Sequence, residues 1–514
     1  MKTVTISQKE YENLIAEKER LSQQVDFLME QMRLARHRQF GSSSEKSEYD
    51  ASQLNLFNEA EACANEAATE PEIIEIQKRY RKKARQKKDR LPADLPIEVI
   101  EYTLSAEEQD CPECGNTLHV MGKEVREELK LIPAKAVIVR HIRYTYACRN
   151  CEKNNTVVPV IRAPIPKPVI KGSFASPEAV AHIITQKFVM ATPLYRQEQE
   201  WNRQGIMLSR QTMSNWLIRC AEDWLEPVYD ELHRRLLEHE VLHCDETTLQ
   251  VLHEPGKTAQ SKSYMWLYRT SGDAKKPIVL YEYQPSRSAV HPENFLMDWK
   301  GYLHADGYSG YHSLEKYGNI TVIGCLAHAR RKFNEALKTI PEKDRENSNA
   351  FIGKSYCNQL FDIERDIKTL SPKEKYTQRQ KRAKPVLDEF FAWLNSENFS
   401  KGILGKAVGY TLGQWKYLER YLLDGRLEIS NNRAERSIKP FVIGRKNFLF
   451  ANTPRGAKAS AIIYSMVETA KESGIDPYEY LTYIFKTAPQ MDIQNNPDSV
   501  SLLLPEKFQE FAKG

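Results

Sequence analysis

Between residues 241 and 325 the chain alternates five short strand-like runs with helical ones, and this order restricts the fold more than any other feature. Val241–Leu252, Tyr264–Thr270 and Pro277–Tyr283 are rich in β-branched and aromatic residues, and short links between them predict an antiparallel meander. A helical stretch, Ala289–Trp299, precedes a fourth strand, Tyr302–Asp306. A short helix near Tyr311–Tyr317 leads to a fifth strand, Ile320–Cys325, and another helix begins at Leu326. Strands joined through helices run parallel, and their crossovers favour one hand.

The order βββαβαβα is that of the RNase H-like fold, so the expected class is multidomain α+β with an RNase H-like core over residues 236–452. Asp245 lies inside the first strand, in Leu242-His-Cys-Asp-Glu-Thr-Thr, and Asp306 ends the fourth. First and fourth strands are neighbours in that topology, so the two carboxylates can converge. A carboxylate inside a strand of Val, Leu and Cys is costly unless paired or metal-bound, whereas Asp-Gly at a strand end reads by itself as a turn. A third acid is expected from a helix further on. Glu435 is the candidate, in Ile429-Ser-Asn-Asn-Arg-Ala-Glu-Arg-Ser-Ile-Lys-Pro440. Local spacing there also reads as a capping box from Asn432 and an ion pair with Lys439. The nearby Arg433, Arg436, Lys439, Arg445 and Lys446 favour a phosphate-handling site. Three acids suit phosphodiester chemistry, because two Mg²⁺ (or Mn²⁺) ions about 3.5–4 Å apart can activate a nucleophile and relieve charge on the leaving oxygen. In that reading Asp245 bridges both ions while Asp306 and Glu435 each hold one. The segment between Cys325 and Glu435 is charged and helix-like, which predicts a helical insertion at about 334–400.

The rest of the 514-residue chain divides by pattern. Residues 6–40 carry Tyr11, Lys18, Val25 and Met32 at one heptad position and Leu14, Leu21, Leu28 and Ala35 at the other. That pattern predicts a self-associating coiled coil, or else an amphipathic helix packed on its own chain. Residues 41–95 read as a polar linker ending in a basic run, Lys78–Arg90, with Lys or Arg at nine of thirteen positions. Such a run is either a solvated tail or a phosphate-neutralising segment. In residues 96–165, Cys111-Pro-Glu-Cys114 and Cys148-Arg-Asn-Cys151 are two thiolate pairs that can supply the four ligands of a structural Zn²⁺. They bracket an expected β-hairpin whose strands include Ala136–Tyr146. Residues 172–235 are expected to be helical and compatible with a helix-turn-helix. There Ser209 caps a helix that turns Arg210, Gln211, Thr212 and Asn215 outward toward DNA. Residues 455–514 show two helical patterns and no chemical motif. No stretch approaches about 18 consecutive apolar residues, and Met1–Glu10 has no apolar signal region, so the expected compartment is the cytoplasm.

Seven motifs in order resemble the DDE transposases of the insertion-sequence 66 family over nearly the whole chain. They are Phe40-Gly-x-x-Ser-Glu-Lys46, Cys111-x-x-Cys114, Pro193-Leu-Tyr-Arg-Gln-Glu198, His243-x-Asp-Glu-Thr247, Asp306-Gly-Tyr-x-Gly-Tyr311, Cys325-x-Ala-His-x-Arg-Arg-Lys-Phe333, and Asn431-Asn-x-Ala-Glu-Arg436 with Gly444-Arg-Lys-Asn447. The resemblance implies cleavage and joining of DNA at terminal inverted repeats by an Asp245, Asp306, Glu435 triad. It also implies a Cys325/His328 element with His328 near the scissile phosphate, and Arg330 and Arg331 beside it as DNA contacts. Leu326 departs from the tryptophan frequent in that family. Implied partners are transposon-end and target DNA, at least a second copy of the chain, and two small accessory proteins of the element. A residues-only alternative is a DNA-binding regulator without catalysis; another is a nuclease of the same fold.

Overall fold

The computed structural model describes residues 164–513 except 397–398, 400–401 and 494, together with 137–142, 144–147, 160–162 and ten positions between Gln8 and Met32. It divides into two units, Ser43–Arg162 and the remainder. The ten positions in the heptad segment are all helical and exposed.

In the smaller unit, β1 (Thr145–Ala147) pairs antiparallel with β2 (Val160–Arg162), Tyr146 opposite Ile161. The four cysteines at 111, 114, 148 and 151 lie outside the described residues. The expected strand over Ala136–Tyr146 is corrected: residues 137–142 and Tyr144 form no strand, and β1 finds its partner downstream at Val160–Arg162. Val137 and Val139 on one alternating face and Ile138 and Ile142 on the other are all exposed. Alternation selects a strand only when one of its faces is covered.

The larger unit begins with helices. Ser176 Oγ caps α1 (Pro177–Ile184) by accepting from the Ala179 N–H. Helices α2 (Leu194–Arg203) and α3 (Arg210–Cys220) are separated by Gly205, whose φ of +77° favours a residue without Cβ. Ser209 caps α3, and Met213, Trp216, Leu217 and Cys220 form its buried stripe. Helix α4 (Glu226–Leu236) leads into the sheet.

Strands β3 (Val241–Gln250), β4 (Lys262–Thr270) and β5 (Val279–Gln284) are an antiparallel meander. After α5 (Val290–Phe295), β6 (Gly301–His304) pairs parallel with β3. After α6 (Ser309–His312), β7 (Ile320–Ile323) pairs parallel with β6. The sheet order is β5-β4-β3-β6-β7. Strands β3 and β6 are therefore adjacent at the centre, with both sides of the chain's chemistry beside them.

Helix α7 (Leu326–Lys338) opens the insertion, which continues through α8 (Asn349–Asp366), α9 (Pro372–Gln378), α10 (Lys384–Ser396) and α11 (Ile403–Leu418). Helical structure continues past residue 400, through α11 and a 3₁₀ turn that ends at Leu422. Gly405, Gly409 and Gly413 weaken the helical signal of α11. Burial of Ala407 and Val408 in one cluster with Phe333 and Phe390 overrides that weakness. A Cβ on Gly353 would meet the Phe333 ring at 2.4 Å, so α8 can approach α7 only with glycine there.

Helix α12 (Asn432–Phe448) returns to the sheet and α13 (Pro454–Glu472) covers it; α14 (Pro477–Thr487) and α15 (Pro505–Lys513) follow. The described residues of 172–235 and 455–514 pack into one core with the sheet. Val180, Trp216, Met265, Tyr281, Ile462, Met466 and Leu481 belong to one buried cluster. Each such aliphatic side chain withdrawn from water contributes roughly 1.5–3 kcal/mol, so neither segment can detach without exposing the core. Helix α13 also occupies the edge of the sheet. Ser465 Oγ accepts from the Tyr281 N–H at 2.8 Å, while Thr469 Oγ1 accepts from the Val279 N–H and donates to the Val279 carbonyl, both at 3.0 Å. These bonds satisfy the free backbone edge of β5.

Candidate active site

The register of β3 against β6 sets the two aspartates together. His243 is opposite His304; Asp245 follows two residues on within β3, and Asp306 lies two residues past the end of β6, within electrostatic reach of Asp245. Asp245 Oδ1 accepts the Glu246 N–H at 2.8 Å, and Asp306 Oδ1 accepts the Tyr308 N–H at 2.9 Å. The turn at Asp306-Gly307 therefore exists, and it aims the carboxylate back at the sheet. Burial, then the negative charges of Glu246, Asp306 and Glu435, push the Asp245 carboxyl well above its ordinary range.

Glu435 enters from the first turn of α12. It makes no capping box: Asn432 is already helical and no side-chain cap bond forms. Instead Glu435 Oε2 accepts from Arg331 at 3.2 Å, and Oε1 stands 3.5 Å from His328 Nε2. Oε1 is buried without a hydrogen-bond partner, as is His328 Nδ1. Burial lowers the pKa of His328, and its neighbour Glu435 opposes that shift. A cleft of about 330 Å³ opens here, lined by Asp245, Glu246, His328, Arg331, Glu435 and Lys439, among others. Asp306 is outside that lining but within electrostatic reach of Asp245.

Asn431 was not foreseen as a site residue. It is 1% exposed and joins three elements. Its Nδ2 donates to the Cys244 carbonyl at 2.7 Å, its Oδ1 accepts from His243 Nδ1 at 3.0 Å, and its N–H points at Cys325 Sγ at 3.1 Å. Its carbonyl accepts the Glu435 N–H at 3.2 Å. The sequence marks it only as the start of the motif Asn431-Asn-x-Ala-Glu-Arg436, with no role attached. Beneath the acids, His243 and His304 stack with centroids 4.3 Å apart and are fully buried. Burial pushes His243 down to about 3 and His304 well below its ordinary value. Glu246 was also missed. Tyr311 donates to it and Arg287 pairs with it through a guanidinium stacked 4.0 Å over the Tyr308 ring.

Cys325, two residues past β7, is the N-cap position of α7 and is buried, and that burial pushes its thiol up to about 12. Among the described residues, Cys325, His328 and Glu435 form a group whose ligand atoms all lie within 4.8 Å of one another. Asp245, Asp306 and Glu435 do not gather that tightly. Leu326, in place of an aromatic residue, is fully buried in the core between β7 and the insertion.

The expected DNA contacts fall into different settings. Arg210, Gln211 and Asn215 are exposed on α3, with Arg210 near Glu198 at 3.9 Å, while the Thr212 hydroxyl bonds Ser209 at 3.0 Å. Arg331 and Lys439 face the cleft, and Arg436 and Lys446 are exposed. Arg330 instead packs 5.4 Å from the Phe361 ring centroid in the insertion. Arg445 bonds Thr247, the Thr248 carbonyl and the Thr248 hydroxyl, fastening α12 to β3. Among the described residues no helix is long and apolar enough to cross a membrane.

Comparison with known families gives four matches. The description "Transposase IS66 family" matches residues 172–459, and "zinc-finger binding domain of transposase IS66" matches 108–152. "Transposase C of IS166 homeodomain" matches residues 27–100 and "IS66 C-terminal element" 465–505. The uncharacterized protein y4jD of Sinorhizobium fredii is 33% identical over 410 residues, covering 77% of each chain. The uncharacterized protein y4hP of the same organism is 30% identical over 391 residues, 72% of this chain and 69% of that one.

Proposed function

This chain belongs to the IS66 family of transposases, and on that premise we propose that it cleaves and joins DNA at an element's terminal inverted repeats through Asp245, Asp306 and Glu435. The observation that supports the reading is that Asp245 on β3 and Asp306, just past the end of the adjacent parallel strand β6, lie within electrostatic reach of each other, with Glu435 entering from α12. The catalytic core is read as RNase H-like, by its sheet order and by the two parallel strands after the meander.

The donor set fits Mg²⁺. The three acids offer hard oxygen, and the carboxylates crowded around Asp245 would be relieved by a divalent cation. Two ions about 3.5–4 Å apart need the acids spread over both, not gathered at one point. When bound, such ions supply charge that activates a hydroxyl nucleophile and stabilises the leaving oxygen. The chain's own part is positioning. Asn431 holds the strand of Asp245 to the helix of Glu435, and Arg331 and Lys439 offer cations to a phosphate in the cleft. His328, kept neutral by burial, offers a hydrogen bond beside it.

The zinc-binding domain, helices α2 and α3, and the basic run are read as the surfaces that hold transposon-end and target DNA. The heptad segment is read as joining two copies, since paired ends require at least two. Accessory proteins of the element remain proposed partners, and the cytoplasm the proposed compartment.

The test is Asp245→Asn with end-sequence DNA and Mg²⁺. The variant should bind ends but neither cleave nor join them; joining at the wild-type rate would overturn the triad. Wild-type protein that binds without nicking would instead be a regulator, and one that cleaves without joining a nuclease.

A further inference from the structure

Three donors of different chemistry converge beside the acids. Cys325 Sγ, an imidazole nitrogen of His328 and a carboxylate oxygen of Glu435 lie within 4.8 Å of one another. Glu435 Oε1 and His328 Nδ1 are buried without hydrogen-bond partners. The third is held as an acceptor, because the Asn431 N–H points at the sulfur from 3.1 Å. Cys325 also stands at the N-terminal end of α7, a helix of 13 residues, where the helix dipole favours negative charge on sulfur.

We propose that Cys325, His328 and Glu435 form a binding site for a borderline-soft divalent cation of the Zn²⁺ type, separate from the zinc-binding domain and competing with the Mg²⁺ donor set for Glu435. A thiolate, an imidazole and a carboxylate are the ligands Zn²⁺ accepts, and three protein ligands leave its fourth position open. Mg²⁺ is excluded by preference, since it takes hard oxygen at octahedral geometry and has little affinity for thiolate. On binding, the Cys325 thiol releases its proton to solvent and the sulfur lone pair goes to the cation. His328 donates as the neutral ring, and Glu435 exchanges its contact with Arg331 for the cation. The ion would then hold Glu435 away from Mg²⁺. That consequence rests on the triad reading above, whereas the binding itself does not.

The test uses the full chain with its zinc-binding domain already loaded, without DNA or Mg²⁺. Co²⁺ is titrated as the probe and absorption is recorded against Cys325→Ser. Cobalt exchanged into the zinc-binding domain is common to both proteins and cancels in the difference. The expected difference is a sulfur-to-cobalt charge-transfer band in the near ultraviolet, saturating at one equivalent. Glu435→Gln keeps the sulfur and guards against a Cys325→Ser chain that fails to fold; it should weaken Co²⁺ binding about tenfold or more. Identical spectra for wild type and Cys325→Ser, or undiminished binding by Glu435→Gln, overturn the proposal. Because no DNA is present, either result leaves the Asp245→Asn test standing on its own.

Discussion

The Asn431 side-chain amide donates to the Cys244 carbonyl over 2.7 Å, which fastens the start of α12 to the strand that carries Asp245. That bond fixes the separation of two acids lying 190 residues apart in sequence, Asp245 and Glu435. All four polar groups of Asn431 are used, so no other residue type fills the position without leaving a buried group unpaired.

Asn431→Ala should therefore destabilise the chain by about 2–3 kcal/mol, since the Cys244 carbonyl and His243 Nδ1–H lose their partners. It should also slow end cleavage on the order of 100-fold at temperatures where it stays folded, because small misplacements of reacting groups cost that much. Thermal melts and strand-cleavage kinetics read both. Wild-type kinetics in a folded variant would remove Asn431 from the positioning role.

The buried pair His243 and His304 makes stability depend on acid. Both are held neutral by burial, His243 down to about 3. In the unfolded chain they titrate near about 6.5. Depressed folded values mean the unfolded state binds more protons below that point. Their contribution is fully present above about pH 6.5 and is lost progressively as pH falls toward about 3. Each costs up to about 1.4 kcal/mol per pH unit in that window. His304→Gln should flatten the fall in urea midpoint between about pH 6.5 and 5; an unchanged slope would contradict this account.

Arg379 is 2% exposed and spends its guanidinium on Glu364 and on the carbonyls of Tyr421, Asp424 and Leu427, each at 2.7–2.9 Å. It pins the end of the insertion to the segment just before α12. Arg379→Ala should cost about 3–5 kcal/mol by leaving Glu364 and three carbonyls unpaired. Arg379→Lys should recover less than half, lacking the planar fork. Chemical denaturation decides, and a loss below about 1 kcal/mol for the alanine variant would show that the network does not matter.

Glu246 adds a fourth carboxylate beside Asp245, and Tyr311 and Arg287 hold it. Burial and Asp306 raise its pKa. Glu246→Gln should lower the negative potential at the site and free Arg287. We expect the Mg²⁺ concentration for half-maximal cleavage to rise several-fold, with end binding unchanged. A Mg²⁺ requirement that is unchanged or lower would mean Glu246 serves only its Arg287 and Tyr311 contacts.

Local signals in the chain were enough to determine a good deal. β-Branched runs and turn residues mark β3 to β7, the Ser176-Pro177 and Ser209 caps mark α1 and α3, and Asp245 stands out as a carboxylate inside an apolar strand. These are readable because period, capping and desolvation act over a few neighbouring residues. Where alternation had no covering face, as at residues 137–142, the same reading failed. Only tertiary structure decided that residues 172–235 and 455–514 share one core with the sheet, and that α13 shields the edge of β5. It alone decided that Asn431 ties α12 to β3, and that Glu435 turns from capping toward His328 and Arg331. The reason is physical: those outcomes depend on groups a hundred or more residues apart competing for one buried hydrogen bond or one apolar face, and such competition leaves no mark on local spacing.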